Sequence, residues 1–537
     1  MAEEGGNPEP EVPQDEGAEQ PGIQGRVSTD IFKCARAMTG CGILAAPFAF
    51  AQTGMLAGIL SLVIICCGTI YAAEVLVEAK YCAIKIMCAQ EISTHRNAKG
   101  RIDNTELRMR VYRMTMYLSK YISLHKIGKL ALSTTGSFFL DMAIILNQFG
   151  VAISCHILFG NTLYYMLFNG KPDVNAIEVY LMNETTPEGA AFILSKANPF
   201  LLIVFIAVSL PVYIGYIFLV KVRRYHLFGV SVDFLLVVTM CMGMVYACID
   251  FHLADIVVVN DWKVFVGFSA MISGFQVIPV VLHLEPSTEN TLEKFKPNIR
   301  KVVGPFGVFV LLYGFIGYLA FGSTSNQLLS TNFEIGIVSY VLDGLLLLLA
   351  LIAYVVPITP VLAYVDVKLF SAGAFFGPTE EEVIILKFEE GEAKRRRGEE
   401  VDEEEKDEWE LKPEEDTGDP LGGEVEIATI PMLDLNTEIP ESVAQWKRLA
   451  ARATVIGVGL IIALIMKDYY GYYLAFLGAV TSAPLTFIMP PYIFLALNRT
   501  ATTSRLLMAI NVVVITFGVI VSLGGVYVTC KEIFYRW

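Results

Sequence analysis

The stretch Ile31-Phe-Lys-Cys-Ala-Arg-Ala-Met-Thr-Gly-Cys-Gly-Ile-Leu-Ala-Ala-Pro-Phe-Ala-Phe50 (residues 31–50) is apolar enough to cross a bilayer, yet it carries Gly40, Gly42 and Pro47. Glycine costs a helix backbone entropy, and proline removes a ladder hydrogen bond. At bilayer depth, backbone freed from its ladder cannot face lipid. It must be buried in protein or line a cavity. A half-helix end in a cavity is a site for an ion or a charged solute.

Composition gives that stretch its context. Hydrophobic residues make up 54% of the 537-residue chain and charged ones 18%, and the mean hydropathy is +0.55. This excludes an ordinary soluble domain and predicts an all-α polytopic membrane protein embedded in a lipid bilayer. The net charge of −14 sits mostly in two acidic segments, 1–30 and about 377–442, which are too poor in apolar residues to fold alone. Residues 1–30 have no basic n-region or apolar h-region, so no cleavable signal peptide is expected. The ten cysteines show neither metal-ligand spacing nor a disulfide framework and are expected to be small apolar packers. No metal, cofactor or nucleic-acid partner is expected. No nucleophile–base set suggests an enzyme.

A span needs roughly 20 mostly apolar residues. Eleven segments qualify: 29–51, 55–80, 130–168, 199–220, 227–249, 263–283, 301–321, 335–366, 448–466, 472–496 and 506–530. The chain then divides into a disordered cytosolic tail (1–28), spans one to eight (29–370), an acidic cytosolic insert (371–445) and spans nine to eleven (446–537). Every second connection is basic. Lys85 through Lys129, Lys221/Arg223/Arg224, Lys294 through Lys301, Lys368 through Arg452 and Arg499/Arg505 alternate with the acidic 250–262 and 322–334. The positive-inside rule puts the N-terminus in the cytosol and the C-terminus outside it. Within the first basic connection, Arg108–Lys126 mixes apolar and basic residues, as either a helix on the cytosolic leaflet or a solvated linker. The insert combines Glu380-Glu-Glu, Lys394-Arg-Arg-Arg397 and the acidic run Glu399–Glu415. It reads as a tolerated insertion or as the contact of a cytosolic partner.

The sixth span, Phe265–His283, is interrupted at Ser273-Gly274 and Pro279. Spans one and six hold matching places in two five-span halves related by an in-plane pseudo-two-fold (a 5+5 inverted repeat with span eleven added). Interrupted helices at matching places point to a midplane site in a secondary transporter.

The residues around these breaks resemble a family. Thr39-Gly-Cys-Gly-Ile-Leu-Ala-Ala-Pro47 with Phe48 and Gly54 is similar to the "GTGILALP…AF…G" signature of the amino acid/auxin permease family. Phe275-Gln-Val-Ile-Pro-Val-Val-Leu-His-Leu-Glu285 resembles its "FEGxGVVLPxE", and Tyr313-Gly-Phe-Ile-Gly-Tyr-Leu-Ala-Phe-Gly322 its "G-x-x-GYLAFG". Gly478-Ala-Val with Ile488-Met-Pro-Pro-Tyr492 resembles "GA…FILPPLxY". The likeness covers about 30–370 and 445–530 and implies the eleven-span inverted-repeat fold and secondary active amino acid transport. The chain departs from the family at Met38 (commonly Asn), Gln276 (often Glu) and His283 (Pro).

An amino acid is a zwitterion. Its carboxylate needs N–H donors and its amine needs carbonyl oxygens, and an unwound helix supplies both. Thr39, Gly40, Cys41 and Gly42 are the expected carboxylate contacts. Ser269, Ser273, Phe275 and Gln276 are expected at the amine and side chain; span three offers Asn147, Gln148 and Ser154, with Gln148 the first choice, and interhelical hydrogen bonding is an equal reading of both Asn147 and Gln148. Sodium wants several oxygen ligands, and Met38 together with the Ser- and Thr-free middle of span eight (Leu345–Val356) offers few. A proton needs one titratable group, for which His156 and Glu74 are the deepest candidates. His283 and Glu285 are expected to gate the cytosolic side. A sodium-coupled carrier and a transporter-like amino acid sensor, signalling through its cytosolic tails, remain alternatives. The membrane is the plasma membrane or the vacuolar or lysosomal one. The orientation makes one prediction. The sequon at Asn183 is glycosylated and that at Asn498 is not. Glycan mapping checks this, and glycan on Asn498 would reverse the topology.

Overall fold

The computed structural model describes residues 41–99, 104–168, 199–219, 225–249, 254–275, 278, 281–284, 291–333, 336–371, 375–376, 445–498 and 505–536. Among them there are helices and connections but no strands. A 3-10 turn, Cys41–Ala45, leads into α1 (Ala46–Thr53). There follow α2 (Met55–Lys99), α3 (Asn104–Tyr121), α4 (Leu124–Phe168), α5 (Pro199–Leu219), α6 (Tyr225–Ile249), α7 (Val264–Ser273), α8 (Val281–Leu284) and α9 (Thr291–Phe321). After these come α10 (Ile337–Ala353), α11 (Val355–Phe370), α12 (Gln445–Ile465), α13 (Tyr470–Leu477), α14 (Met489–Leu497) and α15 (Arg505–Arg536).

Eight helical stretches are long and apolar enough to cross a membrane, and three shorter apolar helices stand at Gly42–Thr53, Leu202–Gly215 and Val264–Ser273. The three short ones fall at the expected spans one, four and six. The tail 1–28 and most of the insert 371–445 lie outside the described residues, as do Thr39, Gly40, Gln276, Glu285 and Asn183.

Two sets of helices share the core. α1 and α7 pack on each other; α2 and α9 flank α1, while α13 and α15 flank α7. α4 is the axis of the other set and carries α5, α10, α11 and α12 on its flanks. Charge pairs fasten helices within each set. Glu78 takes Lys296 at 2.5 Å, and Glu74, one turn earlier, takes Arg300 at 2.6 and 3.0 Å, tying α2 to α9. In the other set, buried Asp366 of α11 accepts from Arg452 at 2.6 and 3.0 Å and from Arg448 at 3.4 Å, both on α12. That cluster brings together the two ends of the segment between Phe376 and Gln445.

Residues 254–260 run as an extended strap across the ends of α1, α2 and α9. Met55 and Leu56 donate their N–H groups to the Val257 and Val258 carbonyls at 2.9 Å, so the strap caps α2. Asn260 N–H reaches Thr53 O, and Ala254 N–H reaches Leu319 O. The strap requires glycine at two places. Gly54 (φ 83°) and Gly322 (φ 56°) have left-handed backbones, and a Cβ there would sit 2.9 Å from Val257 O and 2.7 Å from Asp255 O.

The structure departs from the sequence reading at four elements. The second span was expected at 55–80, but α2 continues to Lys99, and α3 folds back antiparallel along the extension. Lys80 Nζ meets Ser119 O, Cys88 meets Thr115, and Arg110 pairs with Glu91. The segment 108–126 is therefore largely a helix packed on α2. The eighth span divides at Tyr354 into α10 and α11, because Pro357 has no N–H to give to Ala353. The tenth passes through two π-helical turns, Gly478–Ser482 and Pro484–Ile488, between α13 and α14. α4 also bends, at Ser133, which has a non-helical backbone (φ 70°, ψ 176°).

The tightest glycine position among the described residues gives a stability test. A Cβ on Gly478 would lie 1.8 Å from the Ser269 carbonyl oxygen, whereas one on Gly457 meets nothing within 4 Å. Gly478→Ala should lower the melting temperature of the purified protein, by a loss of about 1–3 kcal/mol or more. Gly457→Ala should leave it unchanged or raise it.

Candidate functional site

The two expected breaks meet. The chain passes Gly42 in a 3-10 turn, while α7 ends at Ser273 and unwinds through Gly274 and Phe275. A Cβ on Gly42 would sit 2.9 Å from Ser273 Oγ and 3.2 Å from Gly274 N. One on Gly274 would reach Ile43 N at 3.0 Å. Backbone thus faces backbone across the junction, an approach that only glycine permits. Ser273 Oγ is turned onto the Ala270 carbonyl at 2.7 Å, and Phe275 N–H bonds Ile272 O at 3.1 Å. The Tyr313 hydroxyl of α9 donates to Leu44 O at 3.4 Å. Residues 42–50 are buried throughout. On one side Phe48 rests edge-on against Tyr472, their ring centroids 5.3 Å apart. Phe275 packs against Phe306 in the same way.

Span three and the π-turn of span ten complete the surroundings, as Cys41–Ala45 touches both α4 and α7, and Gly478–Ser482 does the same. Asn147 Oδ1 accepts from Thr481 Oγ1 at 2.8 Å and from Ser482 Oγ at 3.0 Å, and Tyr473 OH donates to Gly150 O at 2.9 Å. Thr481 Oγ1 also lies 2.7 Å from the Leu477 carbonyl within its own helix. These polar groups tie α4 to the tenth span beside the paired breaks.

Of the residues expected at the site, Gly42, Ser273 and Phe275 are brought together. Gln148 is buried next to Asn147. Ser269 is seated elsewhere, between Gly478 and Gly525, whose added Cβ would lie 2.4 Å from its Oγ. Thr39, Gly40, Gln276 and Glu285 lie outside the described residues. For Cys41 and His283 only the backbone is described.

The two proton candidates have different surroundings. Glu74 is held in the bidentate pair with Arg300, whose side chain is 61% exposed. His156 is 1% exposed. Its Nδ1 is 2.6 Å from Ser209 Oγ, and that hydroxyl is 2.5 Å from the Ile206 carbonyl, to which it donates. Nδ1 therefore carries the proton as assigned from this network. Nε2 is buried and meets no hydrogen-bonding group among the described residues. The imidazole sits edge-on to Tyr213 and Tyr354, with centroids 4.7 and 5.0 Å away, and those two rings stack at 3.8 Å. Tyr213 OH contacts the Cys155 and Ala350 carbonyls at 3.2 and 3.1 Å. The node joins α4, α5 and the division of the eighth span.

Sequence reasoning missed three things here: the Thr481–Ser482 pair, the Tyr213–Tyr354 stack and the division of span eight. Pro357 and Pro484 were signals for the last and for the π-turns. The stack and the hydroxyl pair had none, since Tyr213 and Tyr354 are 141 positions apart (354 − 213) and the pair meets Asn147 from 334 positions away.

Comparison with known proteins points to a family of transporters. The family model described as "transmembrane amino acid transporter protein" matches residues 24–531. Amino acid transporter AVT3C of Arabidopsis thaliana is 22% identical over 342 residues, which is 63% of this chain and 69% of that one. AVT3A of the same plant is 22% identical over 320 residues, 56% of this chain and 60% of its own. A solved Na+-coupled sialic acid symporter aligns over 95% of this chain and 96% of its own at 10% identity, but a TM-score of 0.31 carries no argument.

The tie between α4 and the π-turn is testable. Asn147→Ala leaves Ser482 Oγ buried without its acceptor, while Thr481 keeps Leu477 O. The expected cost is about 1–3 kcal/mol. A lowered melting temperature would show it, and Ser482→Ala in the same background should add little.

Proposed function

The chain belongs to the transmembrane amino acid transporter family, and we propose that it carries amino acids across a membrane by secondary active, proton-coupled symport. The matched family and relatives are transporters, not enzymes. The observation that carries the reading is the direct contact of two broken helices, Gly42 and Ile43 against Ser273 and Gly274. Such a junction offers the donors and acceptors a zwitterion needs without any side-chain charge. The substrate carboxylate binds the N–H groups at the start of the Thr39–Gly42 segment. The amine binds carbonyls at the end of α7, with Gln148 and Gln276 bordering the substrate side chain. His283 and Glu285 border the cytosolic path.

In this reading the chain crosses the membrane eleven times, as two inverted five-span halves and a last helix, with the N-terminus cytosolic. The eight long and three short apolar helices support that count. His156 carries the proton: its Nε2 is the free basic atom, and its neighbours span three helices that must shift against one another for a proton to enter and leave. Glu74, already paired with Arg300, is the second candidate. Each unit of difference in proton affinity between outward- and inward-facing states is worth about 1.4 kcal/mol of coupling.

Uptake of labelled amino acids into proteoliposomes tests this. An inward proton gradient in sodium-free buffer should drive accumulation, and His156→Ala should flatten its dependence on pH while the protein stays monodisperse. Gly42→Ala should remove most uptake, and Ser273→Ala in the same chain should restore part of it by clearing the 2.9 Å contact. Uptake that needs sodium and ignores external pH would sink proton coupling. Full uptake by Gly42→Ala would remove the first span from the site.

A further inference from the structure

The hairpin of α2 and α3 carries an apolar face that is exposed among the described residues. On one side α3 buries Met114 and Leu118 against the α2 extension. On the other it exposes Met109, Tyr112 (61%) and Met116, which share a stripe at helical spacing. Beside that stripe is a groove of about 390 Å³ lined by Ile92, Leu107, Arg108, Val111, Tyr112 and Thr115. Exposed Arg108 and Arg113 flank it, and Arg110 and Lys85 lie on the same hairpin. Soluble surfaces rarely leave contiguous apolar area of this kind without a use.

The bilayer is not the cover. A charged side chain as exposed as that of Arg300 (61%) is costly in hydrocarbon, so its pair with Glu74, and Glu78–Lys296 one turn on, put the polar boundary of α2 near this turn. Ile92 lies fourteen residues (92 − 78) past Glu78, about 21 Å further along a helix, well beyond a headgroup layer of about 7 Å. A second copy docking face to face would bring like charges together at the arginines. The chain itself contains a segment of the opposite kind. Between Glu399 and Glu415, eleven of seventeen residues are acidic, and they surround Trp409 and Leu411. Trp409 is thirty-three residues from Phe376 (409 − 376) and thirty-six from Gln445 (445 − 409), so either arm can extend to about 110 Å. Under the eleven-span reading, six crossings separate α3 from this segment, so both lie on one side of the membrane. Tethering holds the segment at roughly millimolar effective concentration, where even a weak contact is occupied.

We propose that the acidic segment Glu399–Glu415 docks on the α2–α3 hairpin, with Trp409 and Leu411 in the groove beside Tyr112 and its carboxylates against Arg108 and Arg113. The apolar anchors provide the affinity, and the charges select the partner and fix its register. The contact is intrachain and is made whether or not substrate is moving.

The experiment is photocrosslinking in native membranes, with p-benzoylphenylalanine incorporated at Tyr112 or, in a separate variant, at Thr115. Digestion and mass spectrometry identify the partner. Crosslinks to peptides within 399–415 are expected from both positions. They should be lost on Trp409→Ser with Leu411→Ser and sharply reduced by Arg108→Glu, in protein that remains monodisperse. Crosslinks to α3 of a second copy, to another protein or to lipid, or none at either position, would overturn the proposal. The readout needs no transport, so a chain that crosslinks as expected but moves no amino acid would count against the transport reading alone. Protease applied to sealed vesicles of each orientation separates a wrong topology from a failure to dock.

Discussion

A backbone carbonyl inside a bilayer has no water to turn to, and this chain interrupts its helices where that matters most. Spans one, six, eight and ten all leave regular helix within their apolar stretches. Buried tyrosines from neighbouring helices answer several of the carbonyls near these interruptions. Tyr313 reaches Leu44 in the first span and Tyr213 reaches Ala350 just before the division of the eighth, while Tyr473 of the tenth span reaches Gly150 on α4. Tyrosine suits this role because its ring fills apolar space while its hydroxyl delivers one donor at a fixed distance. Each such bond also joins two helices, so satisfying the backbone and assembling the bundle are the same event.

Glycine acts by the opposite means, through what it leaves out. Where Gly42 faces Gly274 and Gly478 faces Ser269, side chains would hold the helices apart. At the junction of the first and sixth spans peptide groups therefore come close together, with the Ser273 hydroxyl beside them. That suits recognition of a backbone-like zwitterion. The charged groups stay at a distance: Glu74, Glu78 and Asp366 are each engaged by a basic residue from another helix.

What could be read from the sequence was whatever lies in local composition. Apolar length located the helices, and the Gly and Pro residues around 40–47 and 273–279 located the two breaks that meet. The family resemblance rested on the same residues, and the family match bears it out. Pro357 and Pro484 were legible in principle, but they were lost in strongly apolar surroundings that read as continuous helix. Glu74 reads as deep because its neighbours are apolar; its partner Arg300 lies 226 residues away, and no local window contains both. The partners of Asn147 and His156 lie on other helices for the same reason.

The strap over α1, α2 and α9 has a mechanical consequence. It fixes the start of α2 through two backbone hydrogen bonds at Met55 and Leu56. From that anchored end α2 runs 45 residues to Lys99, about 67 Å at 1.5 Å per residue. Along the way it is tied to α9 by Glu74–Arg300 and Glu78–Lys296, so that α2 and its neighbours turn together as one long arm. One degree of rotation of that arm about the strap moves its far end by about 1 Å. Small rearrangements around a bound solute would thus be magnified at the α2–α3 hairpin, where the arm is longest.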